Sequence, residues 1–211
     1  MTESRGSIEV LHVDDDADFL ELAKTFLERD DAGPELRVTT ATDVATALDR
    51  VEEGVPDCVV SDYEMPGTDG LEFLRALRTR FRSVPFVLFT GEGSEDVARD
   101  AFRVGATDYM QKRSGSDQYA LLAKRIRNAV AGYRAKVASE RYDTVVDALG
   151  DAVFVLDGDG RLTSVNDGFL RLLGYERERA LGAEVSLFDA DGGYLASQVA
   201  ALRSGEAGDS V

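Results

Sequence analysis

Carboxylates crowd the positions where this sequence could do chemistry. Asp14, Asp15 and Asp16 stand in a row after one apolar run, and Asp62 follows another. Thr90 and Lys112 lie at the ends of two more. Carboxylates within a few ångströms of each other repel, so such a group must take up protons or bind a cation. Hard carboxylate oxygens suit Mg²⁺, which favours one or two protein carboxylates together with phosphate oxygens. An Asp side chain can also attack phosphorus itself and form an aspartyl phosphate. A metal and Lys112 would offset charge on the transferring oxygens, and the Thr90 hydroxyl can donate to one of them. These residues are distant in the chain, so a fold must gather them.

Hydrophobic periodicity indicates which elements could do so. Residues 8–13, 36–40, 57–61, 85–89 and 107–110 are short apolar runs that predict strands. Helical spacing predicts helices over 17–29, 43–52, 71–80 and 95–104. The first carries Phe19, Leu20, Ala23, Phe26 and Leu27 inward; the second Val44, Ala47, Leu48 and Val51; the third Leu71, Leu74 and Leu77. A fifth helix starts near Asp117. Strand–helix alternation repeated in this way predicts an α/β fold, a doubly wound parallel sheet with helices on both faces. Sites in such sheets form at the carboxyl ends of the strands, where strand order reverses. Asp14, Asp62, Thr90 and Lys112 all follow or end strands and should share that rim. Asp16 and Asp69 read as helix N-caps, Cys58 as a small buried hydrophobe and His12 as a core imidazole.

The fifth helix has no obvious stop. Leu122, Ile126, Ala129, Tyr133 and Lys136 follow a 4,3,4,3 spacing close to a heptad seam, which predicts pairing with a second copy. The alternative is a helix packed only on its own domain. Beyond Arg141 the pattern changes to a hairpin, 153–157 and 162–165 around Gly158-Asp159-Gly160. Asn166 then reads as the N-cap of a short helix closed by Gly174.

Net charge is −16, which argues against nucleic acid, whose phosphates need a basic surface. No apolar run approaches the roughly 20 residues that span a bilayer, so a cytoplasmic protein is expected. The single cysteine allows no internal disulfide. Only four of the 24 basic residues are lysine. An acidic, lysine-poor composition resembles proteins of salt-loving microbes. Residues 116–141 hold 2 acids and 6 bases between two acidic segments, which marks a boundary.

Four motifs in order, Val13-Asp14-Asp15-Asp16, Asp62-Tyr-Glu-Met-Pro-Gly-Thr-Asp-Gly70, Thr90-Gly91 and Gly105-Ala-Thr-Asp-Tyr109-Met-Gln-Lys112, resemble response-regulator receiver domains. The resemblance implies a flavodoxin-like (βα)5 fold over 1–117. It implies Asp62 as phospho-acceptor, with Mg²⁺ held by Asp14, Asp15, Asp62 and the backbone carbonyl of Glu64. Thr90 and Lys112 would contact the phosphoryl group, and Tyr109 would be the aromatic switch. A histidine kinase or phosphotransfer protein would be the donor. Two positions depart from the family pattern. Arg113 replaces a proline that follows the lysine across a cis bond; without proline, cis costs roughly 2.5–4 kcal/mol. A trans link and a different aim for Lys112 are therefore expected. Gly91-Glu92-Gly93 should make a mobile loop with wide access to the phosphate.

The segment from Asp151 to Tyr175 resembles the start of a PAS domain, an α+β unit expected over 142–211 after a helical linker, 118–141. A complete PAS fold adds three more antiparallel strands, so an incomplete unit is expected. It contains neither His for axial haem ligation nor Cys for a flavin adduct, which leaves a dimerisation module, together with the linker helix, as the expectation. The whole reads as a phosphorelay signalling protein and not an enzyme. A pseudo-receiver that takes no phosphate is one alternative. A phosphatase with an Asp nucleophile is another, although Glu64 stands where its general acid would be Asp.

Overall fold

The computed structural model describes residues 6–81, 83–91, 95–148 and 151–184. The chain divides into two compact units, Met1–Lys136 and Val137–Val211.

In the first unit β1 (Ile8–Val13), β2 (Leu36–Ala41), β3 (Cys58–Ser61), β4 (Phe86–Thr90) and β5 (Asp108–Gln111) form one parallel sheet in the order β2-β1-β3-β4-β5. This is the expected doubly wound, flavodoxin-like arrangement, with its reversal of order between β1 and β3. The central strands β3 and β4 are buried at every position, whereas edge strand β2 alternates. Helices cover both faces, so the central strands read as unbroken apolar runs.

The pleat sorts β1 between two cores. Leu11 and Val13 pack with α2 (Val44–Glu53), α3 (Gly70–Arg80) and α4 (Glu95–Val104). Ile8 and Val10 pack with α1 (Ala17–Arg29) and α5 (Asp117–Ala148). Leu20, Ala23 and Leu27 of α1 are buried as expected, but Phe26 is not. It stays 39 % exposed, with its ring stacked on buried Tyr119 at 4.9 Å.

The helix starts follow their caps. The Phe19 N–H donates to Asp16 Oδ1 at 3.0 Å, and Asp69 forms a full capping box with Glu72. Asp16→Ala is expected to destabilise the unit by about 1 kcal/mol in urea unfolding.

The expected seam of α5 is partly used up at home. Leu122 and Ile126 are fully buried with Ala123 and Val130 against the sheet's own residues. Burying such side chains contributes roughly 1.5–3 kcal/mol each, so the sheet takes these two seam positions, as in the single-domain alternative. The basic stretch also has a use beyond marking a boundary. Arg125 pairs with Asp108, Arg127 with Asp30 and Arg134 with Asp57. Arg127 lies across Gly33, donates from Nε to the Pro34 carbonyl at 3.0 Å, and reaches Asp30 Oδ1 at 2.5 Å.

In the second unit β6 (Phe154–Leu156) pairs antiparallel with β7 (Leu162–Val165), and Gly160 takes φ 82° in the turn. Helix α6 (Asp167–Leu173) ends at Gly174, which is left-handed at φ 72°, and α7 (Arg177–Ala180) follows. Asn166 does more than cap α6. Its Oδ1 accepts from Phe169 and Val153, and its Nδ2 donates to the carbonyls of Val146 and Asp151. Buried Leu162, Val165, Phe169 and Ala180 form the core here. The expectation of an incomplete PAS unit turns on residues 185–211, which lie outside the described residues. Among the described residues, no helix is long and apolar enough to cross a membrane.

Candidate functional site

Parallel pairing of β1 with β3 sets Val13 opposite Ser61, so the residues after each strand come side by side at the reversal point. Asp14 and Asp62 are those residues. The Asp62 N–H donates to the Val13 carbonyl at 2.8 Å, which locks the two strand ends together. Carboxylate oxygens of Asp14, Asp15 and Asp62 all lie within 4.8 Å of one another. Asp14 is 1 % exposed and Asp62 is 7 % exposed, while Asp15 faces solvent.

Lys112 enters from the end of β5. Its N–H donates to the Thr90 carbonyl at 2.7 Å, so the ends of β4 and β5 are tied as well. Its Nζ lies 2.6 Å from Asp14 Oδ2 and 3.3 Å from Asp62 Oδ2. No described peptide bond is cis, so the link to Arg113 is trans as expected. The different aim expected for Lys112 is not found: the side chain points into the acidic group. The Arg113 N–H donates to Gln118 Oε1 at 2.9 Å and anchors the loop to α5.

Two buried carboxylates share this one ammonium. Burial raises the Asp14 carboxyl above its ordinary pKa; Lys112 and the Asp16 N–H oppose the rise, and Asp62 adds to it. With Asp15 at the mouth, the group carries more negative charge than Lys112 offsets. Hard oxygens and surplus negative charge fit Mg²⁺. Asp14, Asp15 and Asp62 are the side chains that would hold it.

Thr90 is buried at the end of β4, 1 % exposed. Tyr109 is half-buried against the core of Leu88, Ala101 and their neighbours, and burial raises its phenol above the ordinary value. Glu64 is exposed on the loop after β3, beside Tyr63, Met65, Pro66 and Asp69. Residues 92–93, the core of the glycine-flanked loop expected to be mobile, lie outside the described residues.

Two contributors escaped the sequence reading. Gly70 begins α3 so close to the site that a Cβ there would lie 2.2 Å from the Asp62 carbonyl oxygen. Its place in the Asp62–Gly70 motif was the available signal. Phe19 lies with its ring 4.4 Å from Lys112 Nζ, which no local pattern announces. His12 is buried among Phe19 and Phe89 with neither ring nitrogen bonded, in keeping with a core imidazole but close to the site.

Burial, and then the charge of Lys112, push His12 down from 6.5 to about 3. A depressed histidine stabilises the fold fully above its unfolded value and loses that contribution as pH falls towards the folded one. His12→Leu should therefore lose less stability than wild type between pH 6.5 and about 3, read by urea unfolding across that window.

Comparison with known proteins matches residues 10–124 to the family model of the response regulator receiver domain and residues 140–204 to a PAS domain. A protein-glutamate methylesterase/protein-glutamine glutaminase of Bradyrhizobium diazoefficiens is 35% identical over 150 residues, 68% of this chain and 40% of that protein. The DNA-binding transcriptional regulator NtrC of Escherichia coli is 34% identical over 113 residues, 54% of this chain and 23% of that protein. The chain thus spans less than half the length of either relative. A receiver-domain crystal structure from Clostridium thermocellum superimposes with a TM-score of 0.53 at 28% identity, covering 62% of this chain and 98% of that one.

Proposed function

This chain belongs to the response regulator receiver domain family, and on that ground we propose that Asp62 accepts a phosphoryl group in a two-component phosphorelay. The observation that carries the reading is the gathering of Asp14, Asp15 and Asp62 within 4.8 Å, with Lys112 Nζ among them.

The geometry suits the chemistry residue by residue. A carboxylate oxygen of Asp62 forms the new O–P bond while the bond from phosphorus to the donor's nitrogen or oxygen breaks, its electron pair leaving with the donor. The Tyr63 N–H donates to Asp62 Oδ1 at 2.8 Å and orients the carboxylate. Lys112, held beside Asp14 and Asp62, meets the charge of the transferring oxygens. Thr90 supplies a hydroxyl from the end of β4. Mg²⁺, bound by Asp14, Asp15, Asp62 and the Glu64 carbonyl, would supply the remaining positive charge. Once the phosphoryl group draws Thr90 towards it, Tyr109 on the neighbouring strand moves inward and changes the face formed by α4 and β5.

The donor in this reading is a histidine kinase or phosphotransfer protein. The signal passes from a receiver, 1–117, through the helical linker, 118–141, to the PAS unit, 142–211, where a second copy of the chain would pair. In this reading the chain's own chemistry is confined to Asp62. Incubation with Mg²⁺ and acetyl phosphate should add the mass of one phosphoryl group, and chelating the metal should prevent it. Steady turnover of phosphate esters would favour a phosphatase. Absence of both adduct and Mg²⁺ affinity would favour a pseudo-receiver.

A further inference from the structure

We propose that Phe19 is a positioning residue for the phosphoryl site: its ring face seats the Lys112 ammonium where it can serve both Asp14 and Asp62. This rests on the phospho-acceptor reading and adds a residue that reading does not need. Lysine is a compact charge on a flexible four-carbon stem, so its aim is set by what surrounds it. Lys112 Nζ is nearer Asp14, at 2.6 Å, than Asp62, at 3.3 Å. Those two carboxylates alone would draw it to the more buried partner. The Phe19 ring, 4.4 Å from Nζ, adds a third attraction that carries no charge and competes for no proton.

The ring is itself held firmly. Its backbone N–H bonds the Asp16 cap, and the Asp16 N–H in turn donates to Asp14 Oδ1 at 3.0 Å. One short segment thus places both the carboxylate and the ring that flank the ammonium. His12, Phe89 and Tyr119 wall the ring at centroid distances of 6.1, 5.9 and 6.2 Å. Tyr119 belongs to α5, the helix that leads out of the first unit.

The test compares Phe19→Leu, which keeps apolar bulk, with Phe19→Tyr, which keeps the ring. Phosphorylation of the full chain by acetyl phosphate with Mg²⁺ should slow about three- to tenfold in Phe19→Leu, within the range of one partly desolvated cation–π contact, and recover in Phe19→Tyr. A Phe19→Leu rate equal to wild type, or a Phe19→Tyr rate as slow as Phe19→Leu, overturns the proposal. With only four lysines in the chain, selective lysine labelling resolves Lys112 by NMR. Its ε-methylene protons should show an upfield ring-current shift that Phe19→Leu abolishes. A wild-type protein that takes no phosphoryl group would sink the phospho-acceptor reading, while the ring-current shift would still decide whether Phe19 seats Lys112. No such shift in wild type overturns the seating.

Discussion

In an Asp62→Asn variant, Mg²⁺ and acetyl phosphate are expected to leave the intact mass unchanged. The amide keeps the size of the side chain, and its carbonyl oxygen can still accept from the Tyr63 N–H. It lacks the anionic oxygen that attacks phosphorus, and it removes one of three carboxylates placed to hold the cation. The fold should not suffer. Asp62 raises the pKa of Asp14, so removing its charge relieves a repulsion between buried groups. Thermal unfolding without metal should occur at or above the wild-type temperature. That pairing of results separates lost chemistry from lost structure. A mass gain retained in the variant would put the acceptor elsewhere.

Gly70→Ala should damage both fold and reactivity. The new Cβ would lie 2.2 Å from the Asp62 carbonyl oxygen and 3.0 Å from Leu88 Cδ1. A backbone atom cannot swing aside as a side chain can. The Gly70 N–H also donates to the Tyr63 carbonyl at 2.8 Å, which holds the start of α3 against this loop. Either the helix start or the end of β3 must move. Overpacking of this kind costs about 1–3 kcal/mol, and the upper end is expected here. Displacing the acceptor by even about 1 Å can cost on the order of 100-fold in rate. Urea unfolding and the acetyl phosphate assay report the two effects. Gly54→Ala is the control: nothing lies within 4 Å of its Cβ position, so its stability should change by less than about 0.5 kcal/mol. If the two variants behave alike, the close approach at Gly70 has no consequence.

What could be read from the sequence was local or periodic. The capping roles of Asp16, Asp69 and Asn166 follow from one residue type at a helix start. The arrival of Asp14 and Asp62 at one rim follows from the order of strands and helices, because parallel strands share an end. What escaped depends on partners far along the chain. Phe19 and Lys112 are separated by 93 positions, and Arg127 and Asp30 by 97. The seam at Leu122 and Ile126 has the spacing of a coiled coil, yet the same spacing serves a helix lying on a sheet. Phe26 shows the converse: it falls on the apolar stripe of α1, yet its ring stays 39 % exposed while stacking on buried Tyr119 of α5. Periodicity identifies a face without saying what covers it.

The three arginine pairs of α5 differ in how far they reach into water, and this makes the hold on that helix sensitive to ionic strength in a graded way. At Arg127 and Asp30 the side chains are 11% and 16% exposed; at Arg134 and Asp57 they are 50% and 31% exposed. At 1 M salt the screening length is about 3 Å, so the exposed pair fades while the sheltered one persists. Concentrated electrolyte should therefore loosen α5 from the Arg134 side first and leave the turn carrying Arg127 seated.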